Sequence, residues 1–223
     1  MTDPSILSIG RSTSSSQSYY IRTKRIVDVL GAIALLLFLS PVLIVIVLCL
    51  GACGGPVLFV HERVGHGGTS FNCLKFRTMH INAEQVLNDL LMRDPVARLE
   101  WESTRKLRDD PRITRIGHLL RALSLDELPQ LINIIRGDMS LVGPRPVVAA
   151  ELESFYKPLG GVGAYLSVRP GLTGQWQICG RSDRSYEERV GLDMAYVSDM
   201  SLTTDAFIIL KTLRVVLSRK GAR

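Results

Sequence analysis

Between Asp28 and Glu62 the chain carries no formally charged residue, and most of that interval is VLGAIALLLFLSPVLIVIVLCLGACGG. A bilayer core asks for about 20 apolar residues in helix, so this run constrains the fold before any soluble packing scheme is considered. Near its centre stand Ser40 and Pro41. Proline has no N–H for the carbonyl of Leu37 and its ring presses on that group, so a helix kinks or breaks here. The Ser40 hydroxyl is placed to bond back to a freed carbonyl, which is how such breaks are tolerated in lipid. Two readings stay open from these residues. A kinked helix from Ile26 to Leu50 would span the bilayer at about 1.5 Å per residue. A re-entrant segment would send two shorter arms into and out of one leaflet, and the basic residues on both sides give no preference for either end outside. Leu50–Cys53 (LGAC) looks like a lipoprotein cleavage site. The apolar stretch of a signal peptide is only about 7–15 residues, however, and this one is longer and interrupted, which argues against export.

The 223 residues, 46% hydrophobic, suffice for one substantial domain beside the apolar segment. A net charge of +6 calls for an acidic partner. Arg22, Lys24 and Arg25 precede the apolar run, and Lys211, Arg214, Arg219, Lys220 and Arg223 crowd the C-terminus. Those are positions for lipid head groups, so the expected partner is membrane lipid and not nucleic acid. Cys49, Cys53, Cys73 and Cys179 form no disulfide framework, and no CxxC or His/Cys cluster points to zinc.

Residues 1–20, with RSTSSSQS, read as a disordered Ser-rich tail. Residues 57–63 and 70–77 flank VGHGGT and predict a small β-hairpin. On its second strand Lys75 and Arg77 share a face, either as a solvated edge or as a phosphate clamp. A helical pattern runs from Asn82 to Leu107 with a break at Pro95. After the turn at Asp109–Arg112, Ile113, Ile116, Leu120 and Leu123 form an apolar stripe with Arg112, Arg115 and Arg121 outside it, as on a helix resting at a membrane surface. Residues 203–220 read as a second basic amphipathic helix, and RGDMSLVGPRP and RPGLTGQWQICGR as Gly/Pro-rich loops.

Within RALSLDELPQ, Ser124 and Glu127 match a capping box, so Asp126 and Glu127 can be an ordinary helix start. The same geometry serves chemistry. A carboxylate at a helix N-terminus is kept ionised beside free N–H groups that bind phosphate, and an aspartate so placed can attack phosphorus. Neither GxxxxGK[ST] nor GxGxxG is present, so phosphates would be held by a divalent cation and by arginines in rigid loops, namely Arg112, Arg145 and Arg169.

The ordered set KRIVDVLGAIALLLFLSPVLIVI, LKFRTM, DDPRITRIGHLLRALSLDELPQLINIIRGDMSLVGPRP and RPGLTGQWQICGR resembles the bacterial sugar transferase family, the monotopic phosphoglycosyl transferases. The similarity covers about Lys24 to Arg219. The nearest likeness is to the short exopolysaccharide-initiating members of the undecaprenyl-phosphate galactose phosphotransferase kind. The resemblance implies transfer of a hexose-1-phosphate, galactose or glucose, from a UDP-sugar to undecaprenyl phosphate, with UMP leaving and Mg²⁺ assisting. It makes Asp126 the nucleophile that carries the phospho-sugar, and Glu127 a Mg²⁺ ligand or proton handler beside it. It implies phosphate binding by Arg145 between Pro144 and Pro146, matches Lys75 and Arg77, and puts Gln175 and Trp176 near the uridine. Ser40 and Pro41 become the break of a re-entrant helix with both ends cytoplasmic.

The expected fold is therefore α+β and mainly helical. Its parts are a tail (1–20), a re-entrant membrane helix (21–54) and a catalytic domain (55–223) on the cytoplasmic face of the inner membrane. A homo-oligomer is compatible with this reading. The rivals are a transferase that moves the sugar alone and releases UDP, a non-catalytic membrane scaffold, and a bitopic protein with an exported domain.

Overall fold

The computed structural model describes residues 15–104, 107–180 and 184–218. Its longest element is helix α1, Ser15–Ala52, with Pro41 inside it. Tyr19–Ala52 is long and apolar enough to cross a membrane by length and composition. Pro41 does not end the helix. The Ser40 hydroxyl donates to the Leu37 carbonyl at 2.8 Å, replacing the amide that Pro41 lacks. The helix also starts ahead of the boundary expected at residue 21. Residues 15–20 are helical, with the Tyr20 hydroxyl donating to Asp205 at 3.0 Å, while residues 1–14 of the expected tail lie outside the described residues.

Both arms of α1 pack on one body. Ala32 and Leu36 join a core with Leu131, Ile134, Leu141, Tyr196 and Ile208. Leu43, Ile46 and Leu50 join a second one with Phe76, Leu120 and Leu128. Between them Leu37 and Phe38 stand 71% and 80% exposed.

The hairpin forms as expected, with β1 at Leu58–Val64 and β2 at Ser70–Phe76, antiparallel, joined through a 3-10 turn at His66–Gly68. Helices α2 (Ala83–Arg93) and α3 (Pro95–Thr104) meet at the expected proline break. Helix α4 (Arg115–Ala122) is followed by a 3-10 turn, Leu125–Glu127, and by α5 (Gln130–Arg136). Then come β3 (Ser140–Val142), α6 (Ala149–Glu151) running into a π turn, α7 (Val162–Leu166), β4 (Gly171–Thr173), α8 (Gln175–Ile178), α9 (Tyr186–Ser198) and α10 (Leu202–Ser218).

Two segments read as loops are in part strands. β3 and β4 pair in parallel, Ser140 with Gly171 and Val142 with Thr173. A Cβ on Gly143 would stand 2.5 Å from the Arg169 carbonyl, so the glycine permits the approach. Helix α10 turns Asp205 and Ile208 inward and leaves Phe207, Leu210 and Leu213 exposed. Met92 of α2 and Val96 and Leu99 of α3 are exposed as well.

The free edge of β2 is closed by a side chain instead of a third strand. Asn133, fully buried on α5, accepts from the Leu74 amide at 3.0 Å and donates to the Asn72 carbonyl at 2.8 Å. Replacing it with leucine, of similar size, leaves the buried Leu74 amide and the part-buried Asn72 carbonyl without their partner. We expect Asn133→Leu to cost about 2–5 kcal/mol, read as a lowered melting temperature of the detergent-solubilised protein.

Candidate active site

Helix α4 is started by Thr114, whose hydroxyl accepts from the Gly117 amide at 2.9 Å. After α4 ends, Ser124 reverses the chain in the left-handed region (φ 56, ψ 22), and it is the one non-glycine residue with positive φ among the described residues. Such a conformation costs about 1–3 kcal/mol and persists where surrounding packing enforces it. Here Leu125 and Leu128 enforce it by burying against Phe76, Leu120, Ile46 and Leu50 on either side of the acidic pair. The expected capping box is therefore absent. The Ser124 side chain makes no cap bond, and the Glu127 carboxylate points elsewhere.

It points at two cations. Glu127 Oε1 accepts from Lys75 Nζ at 2.7 Å and from Arg145 Nη2 at 2.8 Å, with the Glu127 side chain only 17% exposed. Burial alone would raise its pKa, but the charges and hydrogen bonds of Arg145 and Lys75 outweigh that and hold the carboxyl well below the usual carboxylate range. Asp126 behaves in the opposite way. Burial pushes its carboxyl up, the neighbouring Glu127 charge adds to this, and Lys75, Arg121 and Arg145 compensate only in part. Among the described residues no hydrogen bond reaches the Asp126 carboxylate. The helix N-terminus expected beside it is not there, because Asp126 sits on a 3-10 turn ahead of α5.

From the sequence, Arg121 reads as a residue on the membrane-facing side of a helix and not as part of the site. It is half-buried, donates to Thr78 Oγ1 at 3.0 Å, and its charge faces Asp126 and Asp110 instead of a head-group layer. Three cations thus gather on two carboxylates.

Arg145 is carried on a braced loop. Pro144 and Pro146 are buried, the Val147 amide donates to the Tyr165 hydroxyl at 3.2 Å, and that hydroxyl donates to the Val64 carbonyl at 2.7 Å. The guanidinium lies 6.0 Å from the Trp176 ring centroid, and Arg189 lies 4.9 Å from it. Gln175 opens α8 beside that tryptophan. Beneath the loop, buried Asp193 accepts from the Tyr156 hydroxyl at 2.7 Å, and burial pushes its carboxyl up to about 7 against the opposing pull of Arg145.

The other expected phosphate ligands take different posts. Arg112 binds Asp110 through two bonds of 2.8 and 2.7 Å and stacks on Trp101. Arg77 lies just past β2 and caps α1, donating to the Leu50 carbonyl at 3.3 Å, and its buried Nη1 has no partner. Arg169 donates to the Gly137 carbonyl at 2.8 Å, at the far end of α5, whose seven residues put about 10 Å between it and the carboxylates. It lines a cavity of about 260 Å³ with His66 and Asp138, away from Asp126.

Among the described residues no group of three or more His, Cys, Asp or Glu could hold a metal alone. Asp126 and Glu127 do fit a Mg²⁺ ion that takes one or two carboxylates and completes its shell with substrate phosphate and water. The Asp126 carboxylate, which accepts no hydrogen bond among the described residues, is the observation that supports this fit.

The profile of the family described as bacterial sugar transferase matches residues 19–219. The chain is 48% identical over 217 residues to the UDP-galactose-lipid carrier transferase of Erwinia amylovora, covering 97% of this chain and 44% of that protein. It is 51% identical over 201 residues to the exopolysaccharide production protein ExoY of Sinorhizobium fredii, covering 90% and 88%. It is 48% identical over 199 residues to the undecaprenyl-phosphate galactose phosphotransferase of Salmonella typhimurium, covering 89% and 41%. The chain thus spans less than half the length of the Erwinia and Salmonella relatives. A match that runs from the membrane helix through the acidic pair to α10 means that this chain belongs to the bacterial sugar transferase family.

Proposed function

We propose that the protein is an undecaprenyl-phosphate sugar phosphotransferase that moves a hexose-1-phosphate from a UDP-sugar to undecaprenyl phosphate and releases UMP. This would be the first membrane step of exopolysaccharide repeat-unit synthesis. The observation that carries the reading is Asp126, a half-buried carboxylate with no hydrogen bond among the described residues, facing Lys75, Arg121 and Arg145. A structural aspartate would be paired; a nucleophile awaiting a phosphate would not. The relatives' names, which include a carrier-lipid transferase and an undecaprenyl-phosphate phosphotransferase, agree with it.

In the first half-reaction an Asp126 oxygen bonds to the sugar-bearing phosphorus. The bond from that phosphorus to the bridging oxygen breaks, and UMP leaves with the electron pair. In the second, an oxygen of undecaprenyl phosphate attacks the same phosphorus and the Asp126 carboxylate is regenerated. Lys75, Arg121 and Arg145 balance the charge on the phosphoryl oxygens, and Arg145 suits bidentate contact. Glu127 orients Lys75 and Arg145 through the bonds it already makes. Mg²⁺, when bound by Asp126 and Glu127, neutralises the donor diphosphate. Trp176 and Gln175 lie on the Arg145 side of the site, where the uridine is expected to rest.

Radiolabelled UDP-galactose and UDP-glucose, given without acceptor, should leave a labelled adduct on Asp126 and an equivalent of UMP. Adding undecaprenyl phosphate should then move the label into lipid. Asp126→Asn should lower UMP release by at least ~10³-fold, the scale of a lost nucleophile, at unchanged melting temperature. Release of UDP would indicate transfer of the sugar alone, and full activity in Asp126→Asn would indicate a scaffold.

The pH dependence follows from the protonation states. Only ionised Asp126 attacks, and its carboxyl lies above the ordinary aspartate range, so adduct formation should fall on acidification well before pH ~3.9 is reached. Single-turnover rates measured from pH 8 downward in the absence of acceptor check this, and a rate independent of pH until near pH 4 contradicts it.

We read α1 as re-entrant, with the catalytic body and both helix ends on the cytoplasmic face of the inner membrane. Residues on both sides of Pro41, Ala32 and Leu36 before it and Leu43, Ile46 and Leu50 after it, pack on one body, which supports this. In sealed inner-membrane vesicles of known orientation, Tyr19→Cys and native Cys53, both exposed, should react with impermeant maleimide from the cytoplasmic side only. Labelling of the two from opposite sides would establish a spanning helix.

A further inference from the structure

The membrane helix carries a buried acid that no membrane anchor requires. Asp28 is 4% exposed, and its carboxylate accepts from the Ser140 hydroxyl at 2.7 Å and from the Leu141 amide at 3.0 Å. Both donors belong to β3, whose other edge is taken by β4. Asp28 therefore serves the free edge of β3 as Asn133 serves the free edge of β2, by supplying an acceptor where a neighbouring strand would.

The rest of β3 is tied to the same helix. The Tyr196 hydroxyl contacts the Val142 carbonyl at 3.2 Å and Asp205 at 2.7 Å, and Asp205 accepts from Lys24 of α1 at 2.7 Å. One turn beyond Lys24 and Asp28, Gly31 lets the helix close on the strand, since a Cβ there would stand 2.8 Å from Leu141 Cδ1. Such a concentration of buried charge is costly unless each group is paired, and here each one is. Arg145 follows Val142 by three residues, through Gly143 and the buried Pro144, whose ring fixes φ and leaves little slack between strand and guanidinium.

We infer that Asp28 is a positioning residue for the reaction: through its bonds to Ser140 and Leu141 it sets the height of β3, and so the aim of Arg145 at Glu127 and at the phosphate. The membrane helix is then part of the scaffold of the site as well as its anchor. This inference rests on the reading of Arg145 as a phosphate-handling group. Misplacing such a group by about 1 Å costs on the order of 10²-fold in rate.

The test uses the full chain in lipid nanodiscs with two readouts. The first needs no substrate. Trp101 and Trp176 are the two tryptophans of the chain, so in a Trp101→Phe background Trp176 reports on its neighbour Arg145. Asp28→Ala should shift Trp176 emission and raise its acrylamide quenching. Asp28→Asn, which keeps an acceptor for the Leu141 amide, should leave both near the parent values. The second readout is UMP release. Asp28→Ala should lower kcat by ~10²-fold and Asp28→Asn by less than ~10-fold, while Asp28→Ala added to Arg145→Ala should change the rate by no more than ~2-fold. Multiplying effects of Asp28→Ala and Arg145→Ala, or an unmoved Trp176 signal in a folded Asp28→Ala protein, overturn the inference. If Asp28→Ala does not accumulate, Ser140→Ala removes one of the two bonds from the strand side and carries the same expectations at ~10-fold. If the parent releases no UMP, the proposed function fails while the Trp176 readout still decides the positioning role.

Discussion

Glu127 ties together three segments that lie far apart in the chain. It is a mostly buried carboxylate held by Lys75 of β2 and by Arg145 of the loop after β3, while it sits itself on the turn between α4 and α5. A single carboxylate in that position would be expensive to desolvate, and two charge-assisted hydrogen bonds offset the cost. The arrangement works only if both cations arrive on rigid supports. β2 is held by the Asn133 amide, and the Arg145 loop by β4, Tyr165 and the buried prolines. Because Glu127 engages Lys75 and Arg145 directly, Asp126 is left with their distant charge and that of Arg121, and with no hydrogen bond among the described residues. The same ion cluster therefore pairs one carboxylate and leaves its neighbour unbonded, as the proposed reaction asks.

The sequence made the members of that cluster legible before it made the geometry legible. Lys75, Asp126, Glu127 and Arg145 stand in motifs whose order and spacing resemble a known family, and the structure brings these four together. The local argument for Asp126 and Glu127 named the wrong cause. Ser-x-x-Glu is a true capping box at Ser185 and Glu188, where an unbroken helix follows and both reciprocal bonds form. At Ser124 and Glu127 the same spacing precedes Pro129, and two leucines must be buried on either side of the pair, so the chain takes a left-handed turn instead. Tertiary packing overrode a local preference worth about 1 kcal/mol. β3 and β4 escaped notice because three residues cannot show a period of two, and their pairing is visible only through the glycines that allow the approach.

Arg121 illustrates a different limit. Its place outside the apolar stripe of α4 was compatible with a membrane-facing residue, and periodicity does not say what lies beyond the polar side of a helix. In the fold that side meets Thr78 and the acidic turn, because Leu120 and Ile116 bury against Phe76 and against the C-terminal arm of α1. Helix α1 thus decides, through one short hydrophobic contact, which way Arg121 points.

Several arginines are engaged away from the acidic pair, so net charge overstates how many of them face it. Arg25 and Arg169 donate to carbonyls at the C-terminal end of α5, Arg77 to the carbonyl of Leu50 near the end of α1, and Arg112 to Asp110. Helix C-termini expose unpaired carbonyls with partial negative charge, so a buried guanidinium is a natural cap for them. Arg112 and Arg169 look the same in the sequence as a phosphate ligand such as Arg145, since all three stand in short segments next to proline. Their carbonyl partners are met only in three dimensions. What remains around the acidic pair is Lys75, Arg121 and Arg145, one charge more than Asp126 and Glu127 can neutralise. An anion brought to that turn would complete the balance, which is what the proposed reaction asks of the site.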